Sequence, residues 1–155
     1  MKKVRLGIIG TGIAAKKLHW PALQNLDNKF IIVMVCNHTE PKAKEFAQLA
    51  GNVPYVLDYK ELLARDDIDA VSLILPVELN YNVTKEALLA GKHVYVEKPL
   101  ALEHKEAQVL ISLAEERALV LMVGHLLQHH PVFVALKRLA ASGELGRINY
   151  MYSHR

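Results

Sequence analysis

Short apolar runs alternate along the chain with longer stretches of mixed character. Each run is rich in Val, Ile and Leu, which is typical of strands covered on both faces, as in a parallel sheet. A weaker run over 53–57 contains Pro54, which favours either a strand at the edge of the sheet or a position where the chain enters a strand. The stronger runs cover residues 4–9, 30–35, 70–75, 93–96 and 119–123.

The stretches between these runs carry apolar residues at helical spacing. In the first of them Leu18, Ala22 and Leu26 are four residues apart. The second would begin after Thr39 as N-cap, with a proline in its first turn, and would end before Gly51. Alternating strands and helices with short connections predict an α/β fold, a doubly wound parallel sheet of the Rossmann type. The predicted helices cover 14–26, 41–50, 79–90, 103–117 and 132–141.

The first strand runs into a turn that matches the G-x-G-x-x-G/A fingerprint at Gly10, Gly12 and Ala15. Gly10 permits a tight turn, Gly12 lets the backbone approach a pyrophosphate, and Ala15 lets the next helix lie close to the strand. The N-terminus of that helix would face the anion. The pattern favours dinucleotide binding, although flavin and S-adenosylmethionine sites use similar turns. The turn residues expected to contact the cofactor are Gly10, Thr11, Gly12, Ile13 and Ala14.

The residues after the second strand should select the cofactor. NAD enzymes usually have Asp or Glu there, which accepts hydrogen bonds from the ribose hydroxyls and would repel a 2′-phosphate. In this chain Asn37, His38 and Thr39 follow the strand, with no acid before Glu40. All three side chains can donate hydrogen bonds, and two lysines follow on the next helix. We therefore expect NAD(P) with a slight preference for NADP, while Asn37 could equally serve NAD.

Composition and charge exclude several other classes of protein. The chain has 155 residues, 52% hydrophobic and 23% charged, an ordinary balance for one globular domain. The net charge of +3 comes from basic residues that occur singly or in pairs, so no nucleic-acid partner is expected. We predict neither a membrane span nor a signal peptide, and expect a cytoplasmic location. Cys36 ends an apolar run and is interpreted as a buried, inert thiol.

A later segment makes the interpretation more specific. Residues 94–101 read VYVEKPLA, with a Glu-Lys-Pro element directly after a strand. Together with the glycine turn and the stretches 19–23 (HWPAL), 90–93 (AGKH) and 123–125 (VGH), this segment resembles the Gfo/Idh/MocA oxidoreductase family. That family includes glucose–fructose oxidoreductase, inositol dehydrogenases and many sugar dehydrogenases. The resemblance implies hydride transfer between NAD(P) and a CH–OH group of a sugar, cyclitol or related polyol.

The resemblance implies that Lys98 is the catalytic lysine. At the carboxyl end of a strand it would face the nicotinamide and the substrate. Its ammonium group would hydrogen-bond the reacting oxygen and stabilise alkoxide character on it. Glu97, also expected beside the cofactor, would hold a partly buried Lys98 in place, and the peptide bond before Pro99 could be cis. Without the resemblance, an ordinary solvent-facing lysine would be an equally good interpretation.

The resemblance also assigns roles to other positions. Leu75 and Pro76 would form a turn beside the cofactor riboses. Asn80 stands where many family members have histidine, and would hydrogen-bond the cofactor. His125 follows the last strand and would lie near the substrate. His125 and His129 are four residues apart but lack a third ligand, so no metal site is expected.

The last part of the chain is expected to lead into another domain. We assign 1–124 to an NAD(P)-binding Rossmann domain, 125–146 to a linking helix region, and 147–155 to the first strand of a truncated C-terminal α+β domain. In the family that domain supplies further catalytic residues and a sheet through which subunits pair. The chain is therefore expected to be a fragment, inactive alone, of a homo-oligomer. Two other functions stay open: a non-catalytic NAD(P)-sensing module and an NAD-assisted glycosidase.

Overall fold

A sheet of six strands is the centre of the fold, and every pair of neighbouring strands is parallel. The computed structural model describes residues 2–154. The strand order is β3-β2-β1-β4-β5-β6, so the chain proceeds outward from β1 in one direction and then in the other. This topology confirms the predicted doubly wound α/β sheet. The strands are β1 Val4–Ile9, β2 Phe30–Cys36, β3 Tyr55–Val56, β4 Ala70–Leu73, β5 His93–Val96 and β6 Leu121–Val123.

Helices connect the strands and follow the last of them. One short helix, α3, was not predicted; its N-cap is Asp58, whose carboxylate accepts a hydrogen bond from the backbone N–H of Lys60 at 2.9 Å. Its single turn is too short for a helical period to be recognised in the sequence. The helices are α1 Trp20–Gln24, α2 Glu40–Leu49, α3 Tyr59–Leu63, α4 Val77–Leu89, α5 His104–Glu116 and α6 Pro131–Ser142.

Apolar side chains fill two clusters, one on each face of the sheet. Ile8 belongs to one cluster and Ile9 to the other, because successive side chains of a strand point to opposite faces. On the Ile8 side, Phe46 of α2 is fully buried, and the Trp20 ring lies edge-on to it at 6.1 Å. Both faces are thus covered, which explains the nearly continuous apolar strands. On the other face α3, α4 and α5 contribute Leu62, Leu63, Val83, Ala87, Leu88, Leu110 and Ala114.

The first helical segment differs from the regular α-helix predicted over 14–26. A five-residue π-helical turn, Ala15–His19, precedes α1, and the backbone N–H of Trp20 bonds the carbonyl of Ala15. A wider turn rotates the residues that follow it, so the four-residue spacing no longer defines one buried face. Leu18, predicted to lie on the apolar face, is 66% exposed.

Residues 147–154 form no strand, in contrast to the prediction of a first strand there. A strand is stabilised by hydrogen bonds to a neighbouring strand, and alternating apolar residues alone do not supply one. The chain divides into two compact units, residues 1–124 and 125–155. The first unit contains the whole sheet, and the second contains α6, which ends at Gly143 in the left-handed conformation that favours glycine.

An ion pair joins β1 to the residue before β4 at the amino ends of these strands. The guanidinium of Arg5 donates two hydrogen bonds to the carboxylate of Asp69, at 2.6 and 3.0 Å. The backbone N–H of Arg5 donates a third at 2.9 Å. These hydrogen bonds hold the pKa of Asp69 well below its usual range, against the opposing effect of partial burial.

We predict that Asp69 makes the free energy of unfolding decrease as the pH falls into the acid range. A carboxyl group whose pKa is lowered by folding stabilises the protein above its unfolded pKa, about 3.9, and this contribution is lost as the pH falls. Urea unfolding measured from about pH 7 to pH 3 should show a smaller acid-induced loss of unfolding free energy in Asp69→Asn than in the unsubstituted chain. The exposed Asp27→Asn is the control. Parallel pH curves for the unsubstituted chain and Asp69→Asn would contradict the prediction.

The turn after β1 lies directly against the turn after β4. A Cβ atom added to Gly10 would meet the carbonyl oxygen of Ile74 at 2.1 Å, and Gly10 has a φ of +94°. Gly51 has a similar φ of +96°, but a Cβ there would meet nothing within 4 Å. The two glycines therefore separate the effect of backbone conformation from the effect of crowding.

We expect Gly10→Ala to destabilise the fold more than Gly51→Ala. The positive φ costs an alanine about 1–2 kcal/mol at either position. Overpacking against a backbone carbonyl adds about 1–3 kcal/mol at position 10 alone. Urea unfolding of both variants measures the difference. Equal destabilisation would show that the two turns move apart easily.

Candidate functional site

The carboxyl ends of the parallel strands meet at one edge of the sheet. β1 lies between β2 and β4, and the connections from β1 and β4 leave the sheet in opposite directions. A crevice at such a switch point is where open α/β sheets bind ligands. The turn after β1, the loop after β2, the turn after β4 and the segment after β5 all lie at this edge, and they contain most of the residues predicted to form the site.

The glycine turn combines a buried side with an open side. Thr11 is fully buried, and its hydroxyl donates a hydrogen bond to the carbonyl of Lys42 at 3.0 Å. Ala15 is also fully buried, whereas Ile13 is 74% exposed. A Cβ atom on Gly12 would meet nothing within 4 Å, so the backbone is open there at the start of the helical segment. An open backbone with free N–H groups fits a dinucleotide pyrophosphate. Thr11, expected to contact the cofactor, uses its side chain to fix the turn.

The loop after β2 is held by Asn37. This residue is buried, and its side-chain oxygen accepts a hydrogen bond from the backbone N–H of Thr39 at 2.9 Å. Thr39 is the N-cap of α2 as predicted, although its hydroxyl makes no capping bond. His38 is exposed at the same edge. The loop therefore presents donors and no carboxylate before Glu40, which agrees with the expectation that a 2′-phosphate is tolerated.

Asn80 holds the segment after β5. It is 1% exposed, and its amide nitrogen donates hydrogen bonds to the carbonyls of Glu97, at 3.0 Å, and Pro99, at 2.7 Å. Both amide hydrogens are used in this way, while the buried side-chain oxygen has no hydrogen-bond partner among the described residues, so the expected hydrogen bond to the cofactor would use that oxygen. Leu75 packs beside Gly10, and Pro76 is the N-cap of α4. Both residues predicted to form the turn after β4, Leu75 and Pro76, are thus held in place.

Lys98 is exposed at the site edge, directly after β5. The Lys98–Pro99 peptide bond is cis. The expected partial burial of Lys98 is not found, since the described residues do not cover this side chain. The Glu97 carboxylate, expected to hold Lys98 in place, bonds His19 and Tyr95, and no ion pair joins it to the Lys98 side chain within the described residues. Lys98 is therefore positioned through its backbone, by the carbonyls that Asn80 holds on either side of it.

Two side chains that the sequence did not single out bind Glu97. His19 Nε2 lies 3.0 Å from Glu97 Oε1, and the Tyr95 hydroxyl donates to the same oxygen at 3.2 Å. The rings of His19 and Tyr95 meet edge to face at 5.7 Å. Burial, and then the charge of Glu97, raise the pKa of Tyr95 to about 12. Tyr95 and Glu97 are two residues apart in an extended part of the chain, so their side chains point to the same side. This spacing is the feature by which the sequence could have identified Tyr95.

One residue predicted to lie near the substrate, His125, belongs to the second compact unit. His125 is exposed and begins the second unit, where a 3₁₀ turn, Leu126–His129, follows it. Within residues 2–154 no three His, Cys, Asp or Glu side chains are grouped to hold a metal ion. No helix in the described range has the length and apolar character needed to cross a membrane.

Cys36 is buried as predicted, and burial raises the pKa of its thiol to about 12, so it stays protonated.

Curated proteins of similar sequence include two whose activities are named. One is dTDP-3,4-didehydro-2,6-dideoxy-alpha-D-glucose 3-reductase from Actinomadura kijaniata, 35% identical over 94% of this chain. The other is 4-carboxy-2-hydroxymuconate-6-semialdehyde dehydrogenase from a Sphingobium strain, 34% identical over 92% of this chain. The chain spans only 43% and 44% of the lengths of these two relatives.

Solved structures share the fold. A 3-ketoreductase from Actinomadura kijaniata, solved with NADP and TDP-benzene, has a TM-score of 0.84 and 34% identity, and the match covers 92% of this chain and 43% of that one. An oxidoreductase from Thermotoga maritima has a TM-score of 0.88 and 41% identity, covering 94% of this chain and 45% of its own. The sequence model of the oxidoreductase family with an NAD-binding Rossmann fold matches residues 4–125. Since that match covers most of the chain and the solved relatives share its sheet, the chain belongs to the Gfo/Idh/MocA oxidoreductase family.

Proposed function

We propose that the chain is the nucleotide-binding part of an NAD(P)-dependent oxidoreductase that transfers hydride to or from a CH–OH or carbonyl carbon of a sugar, cyclitol or related polyol. The observation that carries the proposal is the arrangement at the carboxyl edge of the sheet. There the open backbone at Gly12 follows β1 and the fixed segment that bears Lys98 follows β5, and only β4 lies between these two strands. The first would seat a dinucleotide, and the second would reach the reacting oxygen.

Different residues of the glycine turn and the loops would bind different parts of the cofactor. Backbone N–H groups after Gly12 would bind the pyrophosphate, and the exposed residue Ile13 would contact one side of the pyrophosphate. His38 and Thr39 would bind the adenosine ribose or its 2′-phosphate. The nicotinamide, when bound, supplies or accepts the hydride.

Lys98 would act on the substrate oxygen. Its ammonium group donates hydrogen bonds, which strengthen as the oxygen gains alkoxide character during the reaction. Because interactions that strengthen in the transition state accelerate the chemistry, this is the role in which a lysine at this position is useful. Asn80 would contribute by keeping the backbone on both sides of Lys98 in place.

Two further observations support the finer parts of the proposal. The loop after β2 has no carboxylate before Glu40, and the Actinomadura kijaniata 3-ketoreductase was solved with NADP; both favour NADP over NAD. That relative is named a 3-ketoreductase, and the Sphingobium relative is named a semialdehyde dehydrogenase. Both names describe carbonyl chemistry, which is consistent with Lys98 acting on a carbonyl or hydroxyl oxygen.

We expect the chain to bind NADPH, and Gly12→Ala to weaken that binding at least about tenfold, equivalent to about 1.4 kcal/mol. The added methyl group meets nothing within the protein, so it should occupy the space of the pyrophosphate and leave the fold intact. Titration followed by nicotinamide fluorescence measures Kd for NADPH and NADH. Urea unfolding of Gly12→Ala is the control for folding.

The outcomes of this experiment are distinct. Tighter binding of NADPH than of NADH supports the proposed selection by the loop after β2, and the reverse order contradicts it. Unchanged binding in Gly12→Ala contradicts the proposed seat of the pyrophosphate. If the unsubstituted chain binds neither cofactor at millimolar concentration, the proposed nucleotide-binding function of the chain is contradicted.

A further inference from the structure

Three side chains at the site edge form a connected group, the His19–Tyr95–Glu97 cluster. Both His19 Nε2 and the Tyr95 hydroxyl lie within hydrogen-bond distance of one oxygen, Glu97 Oε1, at 3.0 and 3.2 Å. The side chains of His19 and Glu97 are only 14% and 25% exposed. The carboxylate is therefore largely removed from water and held from two directions, and its position is well defined.

His19 reaches this carboxylate from the π-helical turn. The turn begins at Ala15, which is fully buried beside the glycine turn, and ends at His19 itself. π-helical turns are rare and occur frequently at functional sites, because the widened turn redirects a side chain at some cost in hydrogen-bond geometry. Here the redirected side chain connects the helical segment that would face the pyrophosphate with the strand that bears the Glu-Lys-Pro element.

The exit of β6 restricts the cluster from another side. A Cβ atom on Gly124 would lie 2.5 Å from the Tyr95 hydroxyl and 3.2 Å from Glu97 Oε1. Backbone thus packs closely on both side chains, and the carboxylate has little room to turn away from His19. A displacement of His19 would therefore displace the Glu97 carboxylate, because the Glu97 side chain has no room to compensate by changing its conformation.

Glu97 is adjacent to Lys98, and its own carbonyl is one of the two that Asn80 binds. The segment Glu97–Pro99 is consequently fixed at the Glu97 side chain by the cluster and at two carbonyls by Asn80. Lys98 has only its own side-chain torsions left to adjust. A shift of the Glu97 side chain would move the backbone from which Lys98 projects.

We propose that His19 is a positioning residue for Lys98. Through Glu97 it connects the helical segment at the glycine turn to the segment that bears Lys98, so that seating the dinucleotide and placing the lysine are energetically coupled. The inference rests on the proposed function, and it adds to the role of Lys98 on the substrate oxygen a contact between Lys98 and the nicotinamide end of the bound cofactor. His19 itself needs no contact with cofactor or substrate.

A double-mutant cycle on NADPH binding tests the coupling. Kd is measured by nicotinamide fluorescence for the unsubstituted chain, His19→Ala, Lys98→Ala and the double variant. We expect His19→Ala to raise Kd about tenfold when Lys98 is present and less than about twofold when it is absent, because the effect of His19 acts through Lys98. A merely structural histidine would raise Kd by the same factor in both backgrounds.

Matched variants separate the hydrogen bond from loss of side-chain volume. His19→Gln keeps an N–H donor of similar reach and should bind NADPH within about threefold of the unsubstituted chain. Leu18→Ala removes an exposed side chain from the same π-helical turn and should leave Kd unchanged. Urea unfolding reports folding for each variant. If His19→Ala does not fold, Glu97→Gln replaces it in the cycle, since it retains the volume of the acid and removes the charge.

Failure of this inference can be distinguished from failure of the proposed function. Equal factors for His19→Ala in the two Lys98 backgrounds overturn the positioning role and leave the cofactor site intact. An unchanged Kd in Lys98→Ala overturns both the nicotinamide contact of Lys98 and the inference built on it. Absence of NADPH binding by the unsubstituted chain overturns the proposed function itself.

Discussion

The contact between the backbone of Gly10 and the carbonyl oxygen of Ile74 determines how closely two turns of the site approach each other. An added Cβ would lie 2.1 Å from that oxygen, so only glycine allows the turn after β1 to meet the turn after β4 at this distance. β1 and β4 are neighbours in the sheet, and their carboxyl ends lie at the same edge. The helical segment after the glycine turn, and α4 with Asn80, are therefore placed relative to each other by this contact.

The other turns and segments of the site are connected to these two turns by hydrogen bonds rather than by apolar packing. Thr11 connects the glycine turn to the start of α2, and Asn80 connects α4 to the segment after β5. The His19–Tyr95–Glu97 cluster connects that segment back to the helical turn after Ala15. Each connection satisfies polar groups that would otherwise be buried without partners, which favours one arrangement of the loops over others.

The sequence predicted the layout of the sheet well, because strands covered on both faces carry a strong apolar signal. The doubly wound parallel sheet and the edge position of the run containing Pro54 agree with the prediction, and the boundaries of α2, α4, α5 and α6 agree with it to within a few residues. Features that depend on tertiary partners were not predictable. The π-helical turn at Ala15–His19 alters a regular helical pattern, and residues 147–154 alternate like a strand without forming one.

The same distinction applies to the site. The sequence identified the positions at the strand ends, and the residues are there. It could not show the direction of their side chains. Thr11 bonds the backbone of α2, Asn37 that of its own loop, and Asn80 that of the segment after β5, while Glu97 bonds His19 instead of Lys98. Such directions depend on which backbone groups lack partners in the folded chain, and this is information that residue spacing does not contain.

The hydrogen bond from Thr11 has an evolutionary consequence. Its acceptor is the main-chain carbonyl of Lys42, so the bond is indifferent to the side chain at position 42. Substitutions there alter the charge beside the loop after β2 without loosening the turn that would bind the pyrophosphate. Under the proposed function, mutation at position 42 would change the preference for one dinucleotide over the other, while the common part of both cofactors would keep its binding site.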